Sequence, residues 1–165
     1  MLRTAVALIT ILASACASQP ETPEAGGTGA PTIFREVEFQ PFAAITLGEP
    51  LRRRTPQTVA RGDLLALTEP GFGGTDSVYL RLYSDRRVAA LYFVYPDTTN
   101  FSAAVASYEA TLGAPRSDVT MDSASGRVQH VTWEDSATTF VMGQFVTSIG
   151  KRRISSALVD RATLR

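Results

Sequence analysis

Ser77-Val-Tyr-Leu-Arg-Leu-Tyr-Ser-Asp-Arg-Arg-Val-Ala-Ala-Leu-Tyr-Phe-Val-Tyr95 decides the fold. Val78, Leu80 and Leu82 alternate with Tyr79, Arg81 and Tyr83, the period-2 pattern of a strand with two unlike faces. One face is aliphatic and the other aromatic and basic. Asp85-Arg86-Arg87 is short and charged, and residues 88–95 form a second β-branched and aromatic run that Pro96 ends. The two runs therefore read as a hairpin. A two-residue loop at Asp85 and Arg86 sets Val78 opposite Phe93, Leu80 opposite Leu91 and Leu82 opposite Ala89. A three-residue loop is the alternative, because Asp-Arg is not the Asn-Gly type of dipeptide that selects a primed turn.

A helix follows over about residues 98–112. Thr98, Thr99 and Asn100 offer N-cap side chains, Phe101, Val105, Tyr108 and Leu112 recur at helical spacing, and Gly113 and Pro115 stop it. A helix with one apolar stripe placed after a hairpin with one aliphatic face should bury the two against each other.

Working outward, residues 63–69, 127–133, 138–146 and 153–159 also read as strands, and Pro41 opens a helical turn over residues 42–47 that Gly48 ends. Thr46-Leu-Gly-Glu-Pro50 returns as Thr111-Leu-Gly-Ala-Pro115, and Arg86-Arg-Val-Ala-Ala-Leu91 is echoed by Arg152-Arg-Ile-Ser-Ser-Ala157. Two short strings match by chance or by duplication; a duplication predicts two helix-plus-three-strand halves. The expected fold is thus α+β: an antiparallel sheet of about six strands with one main helix packed on one face.

The chain divides into residues 1–15, 16–32 and 33–165. The first part has Arg3, an apolar run and then small residues, the layout of a secretory signal, and is too short for the roughly 20 apolar residues of a transmembrane helix. Residues 17–31 are small, polar and rich in Pro and Gly, the composition of a flexible tether. Residues 33–165 then form a single domain. The chain has 16 Lys+Arg against 16 Asp+Glu, and removal of the leader takes away only Arg3. That balance does not suggest a nucleic-acid partner. Its only cysteine, Cys16, leaves no internal disulfide to form.

Ala13-Ser14-Ala15-Cys16 resembles the lipobox of bacterial lipoproteins, in which the cysteine thiol takes a diacylglycerol and becomes the new N-terminus; Ala13 stands where that motif usually has Leu. Ordinary cleavage after Ala15 or Ala17, giving a soluble secreted or periplasmic protein, is the alternative. With the Leu-Gly-x-Pro stops and the order of elements, the chain resembles small bacterial lipoproteins built from helix-then-sheet units. These include beta-lactamase-inhibitor-like domains and the small lipoprotein of the outer-membrane barrel assembly machine. The resemblance implies a non-catalytic binding module tethered through Cys16 to the outer membrane and facing the periplasm, with Ala17 after the cysteine compatible with that sorting.

No residues assemble into catalytic, cofactor or metal chemistry in the sequence. His130 is the only histidine, no serine stands in a Gly-x-Ser-x-Gly elbow, and Gly26-Gly27-Thr28-Gly29 and Gly71-Phe-Gly-Gly74 lack the Gly-Lys-Ser/Thr of a phosphate loop. Adjacent Glu134 and Asp135 read as a solvated turn before an acid/base pair. Trp133, Phe140 and Met142 read as core beneath the helix. Arg52-Arg-Arg54, Arg86-Arg87 and Lys151-Arg-Arg153 are solvated turns, or gather on one edge to meet anionic headgroups or an acidic partner. The candidate binding residues are Tyr79, Arg81, Tyr83 and Tyr92, joined by Val88 and Val94 on the face opposite the helix. Tyr and Arg on a rigid sheet are the residue types of binding hot spots. Either that face stands in water and takes up an envelope protein or other envelope component, or residues 33–59 fold across it. Two alternative functions follow from other classes: a secreted small-ligand carrier or hydrolase, with a cleft near His130 between sheet and N-terminal segment, and a structural envelope protein.

Overall fold

The structure, a computed structural model, describes residues 32–39, 42–51, 58–67 and 74–164. In chain order it contains β1 (Glu36–Val37), β2 (Ile45–Thr46), β3 (Thr58–Arg61), β4 (Leu64–Leu67), β5 (Ser77–Leu82), β6 (Val88–Tyr95), α1 (Phe101–Leu112), β7 (Ser117–Ser123), β8 (Gly126–Glu134), β9 (Thr138–Thr147), β10 (Arg152–Asp160) and a 3-10 helix over Arg161–Leu164. β1 and β2 pair with each other; the rest form one sheet in the order β3-β4-β5-β6-β10-β9-β8-β7. Every pairing is antiparallel. The α+β reading holds, with eight strands in the sheet in place of six.

β5 and β6 keep the expected register at Val78 opposite Phe93 and Leu80 opposite Leu91, but Leu82 faces Val88 because the ladder slips between Arg81 and Leu82. The turn is the three-residue form. Tyr83 N–H donates to the Arg87 carbonyl and Arg86 N–H to that of Tyr83, with Arg86 at φ 66°. This is the turn-plus-αL geometry of a bulged hairpin, in which glycine is the usual occupant of the last loop position. Asp85 closes it by accepting from the Arg87 amide and Nε at 3.2 and 2.7 Å. The slip carries Val88 into the core, where it is fully buried, rather than onto the tyrosine face.

α1 begins at Asn100, whose side chain accepts from Ala103 N–H, and ends at Gly113 with φ 78°. Phe101 and Leu112 are buried and Val105 and Tyr108 half-buried, so the predicted stripe is the packed one. Tyr108 sits 4.5 Å from the Phe140 ring and 6.2 Å from Trp133, and the Trp133 indole N–H donates to the Gly113 carbonyl. Beneath them a continuous apolar row crosses the sheet: Leu65, Leu80, Leu91, Leu158, Phe140, Trp133. Full burial of such side chains stabilises by about 1.5–3 kcal/mol each.

Residues 42–47 are not a helical turn. Ile45 and Thr46 instead pair with Val37 and Glu36, and the hairpin drives Ile33, Val37, Phe39, Ile45 and Leu47 into the same core as α1. The first half therefore has a two-stranded hairpin where a duplicated helix is expected, and each half contributes four strands, not three. Arg35 fastens this hairpin. Its guanidinium donates to the carbonyls of Ala137 and Leu47, to Thr138 Oγ1 and to Asp160 Oδ2, the last at 3.0 Å.

Arg86→Gly should raise stability by up to about 1 kcal/mol, since glycine adopts positive φ without the Cβ clash while giving back part of the gain through a more flexible unfolded chain. The check is a higher urea midpoint at an unchanged m-value.

Candidate functional site

β-Strand alternation assigns the side of the sheet opposite α1 and the β1–β2 hairpin. One row of paired residues crosses all eight strands on that side: Val59, Ala66, Tyr79, Tyr92, Ala157, Val141, Thr132, Ser117. A second runs Ser77, Val94, Ser155, Gly143, His130, Val119. A third is Arg153, Phe145, Val128, Met121. The described residues between 33 and 51 pack on the other side, against Phe140 and its neighbours, and Thr58 and Val59 belong to β3 of the sheet itself, so the described part of residues 33–59 does not lie over Tyr79 and Tyr92. The cleft expected between sheet and N-terminal segment is filled by the hairpin's buried side chains.

The open face is unusually apolar for a surface in water. Val59, Val119 and Met121 are 47, 47 and 53 % exposed, and Tyr79, Tyr92, Val94 and Phe145 are half-buried only by their neighbours on the sheet. Antiparallel sheets that face water on one side alternate apolar-in with polar-out; here the open side mixes Val, Tyr, Phe and Met with Ser, Thr, His130 and Arg153, and only the other side is covered among the described residues.

Tyr79 and Tyr92 stand directly opposite each other on β5 and β6. Beside Tyr92 the sheet is floored by small residues, Ala157, Ser155 and Gly143, which leave a shallow hollow of about 220 Å³ walled by Tyr92 and His130. Gly143 has a steric reason: a Cβ there would lie 2.8 Å from His130 Cδ2. Its absence lets the exposed imidazole rest across the neighbouring strand. Arg81 and Tyr83 join Tyr92 at a larger cavity of about 460 Å³ beside the C-terminal 3-10 helix; Tyr79 is not among its walls. The four tyrosine-face candidates do not share one hollow: Arg81, Tyr83 and Tyr92 meet at the larger cavity, Tyr92 also walls the small one, and Tyr79 lines a third recess with Arg61 and Asp76.

Other candidates resolve into structural roles. Asp135 accepts hydrogen bonds from the amides of Ile33, Ala137 and Thr138 at 2.7–2.8 Å, and Glu134 sits 3.1 and 3.7 Å from Arg116 and Arg161. Burial pushes the Asp135 carboxyl up, and the three amides outweigh it, leaving it below the ordinary carboxylate range. This turn is a binding post for the N-terminal hairpin, not a purely solvated one. Trp133, Phe140 and Met142 are buried beneath α1 as expected. The basic strings do not gather: Arg86 and Arg87 lie at the start of β6 and Lys151 to Arg153 at the start of β10, and antiparallel pairing of those strands puts the two at opposite ends of the sheet. Arg52–Arg54, Cys16 and the leader lie outside the described residues. Among the described residues no group of three His, Cys, Asp or Glu could hold a metal ion, and no helix is long and apolar enough to cross a membrane.

Sequence reasoning missed Val59, Val119 and Met121, which belong to strands it did not foresee, and the 3-10 helix residues Ala162 and Thr163. The one available signal was Val119 and Met121 alternating between Asp118, Thr120 and Asp122. No protein-family model, curated protein or solved structure matches the chain.

Asp135→Asn should remove about 1–3 kcal/mol at neutral pH, since the amide nitrogen cannot accept from Ile33. Because the folded carboxyl titrates below its unfolded value of about 3.9, this contribution is complete above that pH and is lost as pH falls through the folded value. Denaturation of both proteins should show a gap that is constant from neutral pH down to about 4 and narrows below it.

Proposed function

We propose that this chain is an exported, lipid-anchored, non-catalytic module that faces the periplasm from the outer membrane and binds a protein of the cell envelope on its open sheet face. The observation that carries the reading is the apolar and aromatic row from Val59 to Val141, uncovered among the described residues, with Tyr79 and Tyr92 at its centre and Arg81 beside it. Contiguous apolar surface of this kind marks interaction sites in soluble domains. Tyrosine and arginine supply large contact area with polar ends, and they stand on paired strands whose positions are set before binding, which lowers the ordering penalty of association. The lipobox-like Ala13-Ser14-Ala15-Cys16 and the Pro/Gly-rich stretch after it support the anchor and the tether.

Both parts of the proposal have a direct test. Cys16→Ala should move the protein from the membrane fraction to the soluble periplasmic fraction, and unchanged membrane retention would remove the anchor. A photo-crosslinking amino acid at Tyr92 should give a discrete adduct in cells that Tyr79→Ser weakens at least tenfold, while the same probe at Ser107 on the exposed side of α1 gives none. Equal adducts from both positions would overturn the sheet-face assignment. Because Tyr79 lies outside the buried core, Tyr79→Ser should leave the melting temperature within a few degrees of wild type.

A further inference from the structure

Among the described residues the most exposed large apolar side chain is Ile149, 78 % exposed at the tip of the turn between β9 and β10. A lone exposed aliphatic residue is ordinary on a protein surface, but this one stands on a fixed frame. Gly150 takes the positive φ of 79° that the turn requires. Gly150 N–H donates to the Thr147 carbonyl, Thr147 N–H to the Lys151 carbonyl and Lys151 N–H to the Thr147 hydroxyl, at 2.8–2.9 Å. Ser148 N–H reaches the Ser125 carbonyl of the adjoining β7–β8 turn at 3.1 Å. Small polar residues are the usual occupants of such turns. Ile149 contributes no buried area to the fold, and the backbone bonds hold it outward.

Lys151, Arg152 and Arg153 follow it, all exposed. None of the three forms an ion pair among the described residues. Arg152 and Arg153 are successive residues of β10, so their side chains leave opposite faces of the sheet and flank the tip from both sides. The carboxylates at this end do not cancel them: Asp122 is paired with Arg127 at 2.8 Å, and β6 stands between Asp76 and β10. Asp97 shares with the three cations an open recess of about 610 Å³. The adjoining turn, Ser123-Ala-Ser-Gly126, is uncharged. A soluble anion would engage the cations and leave Ile149 in water. A bilayer offers anionic headgroups at its boundary and hydrocarbon beneath them, which matches both parts of the turn.

We infer that the β9–β10 turn is a membrane-contact site, with Lys151, Arg152 and Arg153 on anionic headgroups and Ile149 below them at the acyl boundary. The domain then meets the bilayer end-on and its open face stands clear of the lipid. The site does not depend on lipidation of Cys16, and it is compatible with it. Ile33 is held by Asp135 at the far end of β9, about 33 Å away for a ten-residue strand, and residues 17–32 can span up to about 50 Å.

The test uses residues 16–165 carrying Cys16→Ser, which excludes any acyl chain, floated with vesicles of equal parts phosphatidylglycerol and phosphatidylcholine, or of phosphatidylcholine alone. Half-binding is expected near about 1 mM accessible lipid on the anionic vesicles in low salt, with none on the neutral ones. Each cation near such a surface multiplies affinity roughly fivefold, so Lys151→Gln with Arg153→Gln should weaken binding roughly twentyfold. Ile149→Ser should weaken it at least fivefold with the salt dependence unchanged, which separates apolar insertion from charge. Melting temperatures should stay within about 2 °C of the parent, since all these positions are exposed. A nitrobenzoxadiazole label on Ile149→Cys should brighten at least twofold on anionic vesicles, and the same label on Ser107→Cys should not. The inference is overturned by no flotation with anionic vesicles, by equal binding to neutral ones, by parental affinity in Ile149→Ser or in the double variant, or by equal brightening at the two labelled positions. Any of these leaves the Cys16 anchor and the sheet-face partner standing, because fractionation and crosslinking in cells read those separately.

Discussion

Arg35 and Asp160 hold the architecture in its asymmetric form. One guanidinium ties the β1–β2 hairpin to the last residue of β10 and, through Ala137 and Thr138, to the β8–β9 turn. A partly buried ion pair gains little over its desolvation unless further hydrogen bonds complete it, and here they do, since Arg35 makes four and Asp160 also accepts from Ala162 N–H. The bonds are directional, whereas the apolar contacts of Ile33, Val37 and Ile45 are not. The ion pair therefore contributes placement: it lays the β1–β2 hairpin beside α1 on one face, and no described residue covers the other.

Gly48 belongs to the same constraint. At φ 81° it turns the chain out of β2, and a Cβ there would lie 3.1 Å from Asp160 Oδ2 and 3.2 Å from an Arg35 nitrogen. Just past it, Glu49 and Gly48 satisfy the backbone of Val88 where β6 extends past its ladder with β10. The matching glycine of the second half, Gly113, has open space around its α-carbon and a backbone conformation, φ 78° and ψ −171°, that is essentially glycine's alone. One Thr-Leu-Gly-x-Pro string thus ends a strand against an ion pair, and the other ends a helix at a cap glycine whose carbonyl accepts from the Trp133 indole N–H. The halves share strand order and stop signal, and they differ in what each lays on the sheet.

What could be read in the sequence follows the same physics. The β5–β6 register and the limits of α1 were legible because both elements have one buried side, and burial imposes period on sequence. β3 and β7 were not: every residue of β3 is exposed, and β7 is exposed beyond Ser117, so burial marks no core face in either, and the short Val119/Met121 alternation of β7 was the one trace. The residues of β2 match a helical turn as well as a strand because Pro41 and Gly48 bracket six residues, too few for either period to decide. The three-residue loop was one of the two turns that Asp-Arg left open, but the slip at Leu82 that accompanies it was not foreseen; there residues 48 and 49 bond Val88 from elsewhere in the chain. Of the candidate site, the tyrosine face was legible as an alternation. Its division into separate hollows was not, because one wall comes from the 3-10 helix and another floor from glycine and alanine on distant strands.

The separation of the two faces has an energetic consequence. Trp133, Phe140, Leu91, Leu158 and the N-terminal hairpin form one cluster on the covered side, so the apolar area that stabilises the fold does not depend on the side chains of Tyr79, Arg81, Tyr92 or His130. The open face can vary without unfolding the domain, subject to one limit. Residues such as Gly143, Ala157 and Ser155 sit where a larger side chain would fill the hollow between Tyr92 and His130, and at Gly143 it would displace the imidazole. Small residues in the middle of a central strand weaken its packing and its intrinsic preference for extended backbone. Fold stability alone would favour β-branched residues there, as at Val141 one row away. At Gly143 the His130 imidazole occupies the room that the missing Cβ leaves.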